Sequence, residues 1–247
     1  MANLFNQIFY QPLFNALVIL YDFLPWPDLG IAIILLTIFI RLVLLPLFYK
    51  GAKDQAILQR LAPRIKEIQK THKENKEEQA KAMFNLYKEH KVNPFSQFLL
   101  LIVQLPVLIA LYWVFSRGIT PESLENLYSF VSAPGTVNNS FLGLIDLSKK
   151  NIIVIGLAAV AQYLQARLSL PKIKNTDDLS TTEKMSRQMS YLGPVMTVFF
   201  LAYLPAAIGL YWLTTSVFSV IQQVIINKKL KVSNEQLIAI DKKLHSK

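Results

Sequence analysis

Apolar positions gather into runs long enough to matter for a bilayer, because about 20 helical residues are needed to cross a hydrocarbon core about 30 Å thick. Five such runs are read along the chain: Leu29 to Tyr49, Pro94 to Ser116, Ile152 to Leu168, Tyr191 to Leu204 and Ala206 to Asn227. The fourth is short, and only the turn around Pro205 divides it from the fifth, so a tight hairpin is expected there. Asn93-Pro94 predicts a helix start, since Asn caps free N–H groups and proline at the first helical position gives up no paired donor. Pro106 and Pro194 fall inside runs and read either as kinks in an imperfectly closed bundle or as local packing relief.

Between the runs the periodicity changes. In residues 1–25 the polar positions Asn3, Gln7, Gln11 and Asn15 recur every fourth residue among apolar ones, the pattern of an amphipathic helix lying in the interface. The segment lacks the basic start of a signal sequence, and a sixth, poorly formed span is the weaker reading. In residues 50–92, Ile57, Leu61, Ile65 and Ile68 keep helical spacing, KENK interrupts it, and Ala80, Met83, Phe84 and Tyr87 resume it, so a helical hairpin is expected. Residues 117–150 carry turn signals at Pro121, Pro134, Gly135 and Asn138-Asn139 around a short helix expected near Glu122 to Val131.

Composition agrees with these runs: 53% of the 247 residues are hydrophobic and 17% charged. The net charge of +10 would suggest nucleic acid, but its distribution redirects it. Of the 26 Lys and Arg, 22 lie in residues 50–93, 167–187 and 228–247, and none lies in residues 1–28. Five crossings put those three basic segments on one face, so the positive-inside rule places the N-terminus outside and the C-terminus on the cytoplasmic side. The expected class is an all-α polytopic membrane protein with five transmembrane helices. Its division is an external interfacial helix (1–27), a first span (28–49), a cytoplasmic hairpin (50–92), a second span (93–116) and an external loop (117–150). A third span (151–168), a cytoplasmic loop (169–189), a fourth span (190–204), a fifth (206–227) and a basic tail (228–247) follow.

Candidate chemistry is narrow. There is no cysteine, which removes disulfides, thiolate metal sites and Cys nucleophiles. The histidines, His72, His90 and His245, all lie in cytoplasmic segments, and no Asp, Glu or Lys is placed inside a run. Membrane-embedded zinc, Ser-His, Ser-Lys and aspartyl catalysis are therefore not expected, nor are carboxylate relays, and the chain is read as neither an enzyme nor a cofactor carrier.

One charge stands out. Arg41 sits within LLTIFIRLVLLPLFYK, residues 35–50, where a lipid-facing charge costs on the order of 2.5–3.5 kcal/mol. No carboxylate in the runs can pair with it, so neutral polar groups or water must satisfy it. Thr37 lies one turn earlier on the same face, and Pro46 frees the carbonyl of Leu42. In the last run Trp212, Thr215, Ser216, Ser219, Gln222 and Gln223 share a face, and Gln162 with Gln165 and Gln97 with Gln104 do so in two others. Taken singly such residues read best as interhelical glue, but as a set with Arg41 they describe a hydrated cavity.

In order and spacing these segments resemble the YidC/Oxa/Albino family of membrane protein insertases, from about Asn3 to Asn227. The marks are Thr37, Arg41 and Pro46 in the first span, LAPRIKEIQ opening the hairpin, and LYKEHKVNP with QLP after it. QYLQARLS and LGPVMTVFFLAYLPAAIGLYWLTTSVFSVIQQ complete them. The resemblance implies a hydrophilic groove open to cytoplasm and lipid and closed outside, which receives a substrate's polar segment while its apolar segment slides past the third and fifth spans. Arg41 matches the family's groove arginine, and Thr37, Gln165, Tyr211 and Trp212 match groove or substrate-contact positions. Gln104, Gln162, Thr215, Ser219 and Gln222 join them from the helical faces alone. Implied partners are nascent membrane-protein substrates and membrane lipids, with a ribosome at the basic tail and hairpin and a Sec translocon as candidates, and no direct DNA binding. The chain is expected to be a short bacterial-type member, without the large periplasmic domain and extra span of many Gram-negative relatives or the lipoprotein signal of many Gram-positive ones. The competing reading is a small-solute channel or carrier.

Overall fold

The computed structural model describes residues 2–118, 120–135, 137–170 and 181–245. It is helical almost throughout. The N-terminal helix runs as α1 (Ala2–Phe5), a π-helical stretch (Asn6–Tyr10) and α2 (Gln11–Phe23). Pro12 explains the widened turn: it has no N–H to give and its ring crowds the carbonyl four residues back, so Gln11 N–H bonds instead to Asn6 O. This helix is packed into the protein. Tyr10, Phe14, Leu17, Val18 and Tyr21 are buried in the main core. Asn15, expected on a solvated polar stripe, is buried too and binds Asn126.

The first long run is not one straight helix. Helix α3 (Leu29–Val43) and helix α4 (Leu45–Thr71) meet at Leu44 with a bend of 68°. Pro46 therefore stands in the first turn of α4, where its missing N–H costs no bond, rather than inside a continuous span. Asp28 starts α3, one carboxylate oxygen accepting from Ile31 N (2.9 Å) and the other from Leu142 N (2.6 Å).

Helix α5 (Lys76–Glu89) completes a hairpin with α4, its turn at residues 72–75 falling on KENK. Asn75 caps α5, accepting from Glu77 N and Glu78 N. Leu61, Leu86 and Val92 form a small core of their own at the hairpin. Helix α6 (Ser96–Arg117) begins two residues after Pro94, because Asn93 caps a preceding turn through Phe95 N rather than the helix itself. Pro106 lies inside α6 and Pro194 inside α9 (Thr181–Leu201), and both helices continue through them.

The segment between α6 and α8 (Ile152–Ser169) holds a one-turn helix α7 (Pro121–Leu124), shorter than expected, and a two-stranded antiparallel ribbon. Its strands β1 (Ser140–Phe141) and β2 (Ile145–Asp146) pair Ser140 with Asp146 and Phe141 with Ile145. This loop is bolted down by polar contacts. Asn15 donates to Asn126 O (2.9 Å) and accepts from Tyr128 N (2.7 Å), and Tyr21 OH accepts from Asn138 N (3.0 Å). Helix α10 (Ala206–His245) starts against the same loop, Ala206 N donating to Lys149 O (2.8 Å) and Ala207 N to Leu147 O (3.0 Å). The free N–H groups of its first turn are thus satisfied by backbone carbonyls.

Among the described residues three helices are long and apolar enough to cross a membrane, within α6, α8 and α10, and the bent α3–α4 pair makes a fourth if it is one crossing. Residues Tyr191–Leu201 of α9 are apolar but shorter, so the fourth expected run falls below spanning length. On α6, Phe98, Ile102, Leu105, Ile109 and Tyr112 form an exposed apolar stripe, and on α8, Ile153, Leu157, Val160 and Leu164 form another. Both stripes repeat every three and four residues, as a helix face turned toward lipid does. Residues 171–180 of the expected cytoplasmic loop lie outside the described residues, as do the side chains of Asn3 and Gln97 and those of residues 230–247 in the basic tail.

Candidate functional site

Behind those apolar stripes lies a cavity of about 510 Å³ walled by α3, α4, α6, α8 and α10. Arg41 occupies the last turn of α3, where the helix's unpaired carbonyls favour a cation. The bend at Leu44 then brings α4 back beside it. The Arg41 guanidinium carbon lies 4.3 Å from the centroid of the Phe48 ring, a cation–π contact, and the residue is 7% exposed. None of the ion pairs formed among the described residues includes Arg41.

Of the residues singled out from the sequence, Arg41, Gln104, Gln162, Gln165, Tyr211 and Trp212 line this cavity, together with Thr215, Ser219 and Gln222. Thr37 does not. It is buried one turn before Arg41, and its hydroxyl donates to Ile33 O at 2.6 Å. Gln104 donates to Tyr211 OH and so ties α6 to α10. The Gln162 carbonyl oxygen accepts from Thr197 of α9 and from Trp212 Nε1 of α10 (3.1 Å), which makes Gln162 a three-helix link as well as a wall residue. Ser219 donates to Thr215 O (2.9 Å) and Ser169 to Gln165 O (3.0 Å), each within its own helix, which leaves oxygen lone pairs as acceptors on the wall. Among the described residues no three His, Cys, Asp or Glu side chains converge. The cavity's polar groups are neutral amides and hydroxyls around one guanidinium.

Phe48, Ala52 and Gln55 of α4 also line the cavity and were not singled out. Their spacing of four and then three residues is a helix-face signal, but only the bend at Leu44 aims that face at Arg41. Below them α4 sits close on α6. A Cβ at Gly51 would run into the Leu100 side chain, and buried Asp54 accepts a hydrogen bond from Ser96 Oγ (2.5 Å) at the start of α6.

The family model described as 60Kd inner membrane protein matches residues 19–235. The chain belongs to this family. It is the YidC/Oxa family that the motifs resemble, and its matched region contains every cavity residue. A Clostridium tetani protein named membrane protein insertase YidC is 34% identical over 202 residues, covering 82% of each chain. Proteins of the same name from Francisella philomiragia and Francisella tularensis subsp. novicida are 30% and 31% identical over 209 residues. The match takes in 84% of this chain but only 34% of each Francisella protein, so this YidC/Oxa family member spans about a third of their length.

Proposed function

We propose that the chain is a membrane protein insertase that receives the polar segment of a nascent membrane protein in the Arg41 cavity and releases its apolar segment into lipid. The observation that carries this reading is a buried guanidinium in a polar cavity, on helices whose outer faces are apolar. A hydrated cavity shortens the hydrocarbon path, so a polar segment meets a smaller desolvation barrier than an intact bilayer imposes. The single positive charge favours acidic segments. The names carried by the relatives point the same way.

In this reading the α3–α4 pair, α6, α8, the apolar part of α9 and α10 make five crossings, with the N-terminus outside and the basic segments cytoplasmic. The loop bonded to Asn15, Tyr21 and the start of α10 supports a cavity sealed on the outer side. That seal favours insertion over a solute channel, which needs two openings. The hairpin and basic tail are assigned to ribosome or nascent-chain contact, and Sec is a candidate partner.

The test is insertion into liposomes of a substrate with an acidic translocated segment. Arg41→Ala is expected to lower its insertion about tenfold, in line with losing one charge-assisted hydrogen bond. Arg41→Lys should retain part of the activity, and unchanged insertion by Arg41→Ala sinks the assigned role. Photo-crosslinking from positions 165 and 212 to a stalled nascent chain locates the path.

A further inference from the structure

We propose that the Arg41 cavity is also a binding site for a phosphate oxyanion, and that in the membrane this anion is a phospholipid phosphodiester. A guanidinium carries five N–H donors in one plane and cannot shed its charge. The face of Arg41 is covered by Phe48, but a ring contact uses none of those donors. Among the described residues Arg41 makes no hydrogen bond or ion pair, although it is 7% exposed and lines the cavity. A charge this buried needs acceptors, and the planar donor edge fits the paired oxygens of a phosphate. Thr215 Oγ1 is a second buried wall oxygen, beside the Tyr211 phenol, and its hydroxyl can donate to the same anion.

The walls point to a lipid as the source. Leu105 lines the cavity yet is 44% exposed, and it belongs to the apolar stripe of α6. A headgroup at Arg41 thus has a path for its acyl chains along that stripe, which free phosphate does not use. The volume falls in the ordinary range of small-ligand pockets, about 300–1,000 Å³. Resting on the insertase reading, one consequence follows: an acidic segment enters by displacing the phosphodiester, an exchange of anions at one guanidinium. A segment without acid has no such competitor to displace.

The binding test needs no substrate. The full chain in detergent micelles, carrying Trp26→Phe and Trp113→Phe so that Trp212 alone reports, is titrated with dihexanoyl phosphatidylglycerol, dihexanoylglycerol and inorganic phosphate. The phospholipid is expected to saturate Trp212 fluorescence, the phosphate-free diacylglycerol to leave it unchanged, and inorganic phosphate to bind far more weakly. Arg41→Gln should weaken phospholipid binding by about tenfold or more. Thr215→Val, which keeps the guanidinium, should weaken it severalfold and serves if Arg41→Gln does not fold. Equal responses to phospholipid and diacylglycerol, or binding untouched by both substitutions, overturn the site. Tight binding of inorganic phosphate alone overturns the lipid as its source. Insertion of acidic and acid-free substrates into phosphatidylglycerol and phosphatidylcholine vesicles is then measured separately, so a failed insertase reading leaves the binding result standing.

Discussion

At the scale of single residues, Gln162 separates two roles that a polar membrane residue can have. Its carbonyl oxygen is the shared acceptor for Thr197 and Trp212, so Gln162→Leu leaves a buried hydroxyl and an indole N–H unpaired at a cost of about 1–3 kcal/mol. The variant should melt earlier in detergent yet insert substrate normally per folded molecule, and normal melting with lost insertion would make Gln162 a substrate contact instead. Gly30 is as tightly constrained from the other side, since a Cβ there would run into the Phe141 ring of the β1–β2 ribbon. Gly30→Ala should destabilise by about 1–3 kcal/mol, read as a lower melting point and faster proteolysis of the loop. Arg41 was legible from sequence because a charge in an apolar run is conspicuous. Thr37 was expected on the face of Arg41, but it bonds within its own helix and does not line the cavity, a preference for the carbonyl four residues back that spacing alone does not reveal.

At the scale of elements, the apolar runs and the break at KENK were readable because they rest on periodicity. The ends of helices were less so, because local hydrogen bonding sets them. Asn93 turns the chain before α6 begins, and the expected helix near Glu122 shrinks to one turn capped by Thr120. The fate of the N-terminal helix depends on a distant partner. Asn15 looks like part of a solvated stripe until residues 126 and 128 arrive to bond it. Asn15→Leu should therefore cost about 1–3 kcal/mol by orphaning backbone groups, seen as faster amide exchange across residues 120–131. At the far end of the loop, hydrogen bonds from Lys149 and then Ser148 hold the Asp146 carboxyl at about 2, below its ordinary value. That contribution is present above the ordinary carboxylate range and is lost as pH falls through about 2. NMR of the ribbon should show these contacts intact at pH 4.

At the scale of the whole molecule, the bend at Leu44 is what sequence could not supply. Pro46 announced a disturbance, but a proline is equally at home in a kink or in the first turn of a new helix, and packing of α4 on α6 decides between them. The bend adds Phe48, Ala52 and Gln55 to the cavity and sets the hairpin on Gly51 and Asp54. Cysteines at positions 54 and 96, joined by a short bis-methanethiosulfonate through two reducible disulfides, fix that base, and the chain holds no other cysteine to interfere. Insertion should fall when the crosslink forms and return on reduction, whereas full activity of the locked form would show that the hairpin base stays still during insertion.

The same bend has a mechanical side. Helix α4 has 27 residues and extends about 40 Å from Leu44 at the usual rise. It is a long arm on a short fulcrum. A rotation of about 5° at the elbow sweeps its tip through about 3.5 Å, while Phe48, a single turn from the pivot, barely shifts against Arg41. Any displacement of the tip about that elbow is thereby geared down to a much smaller one at the charge.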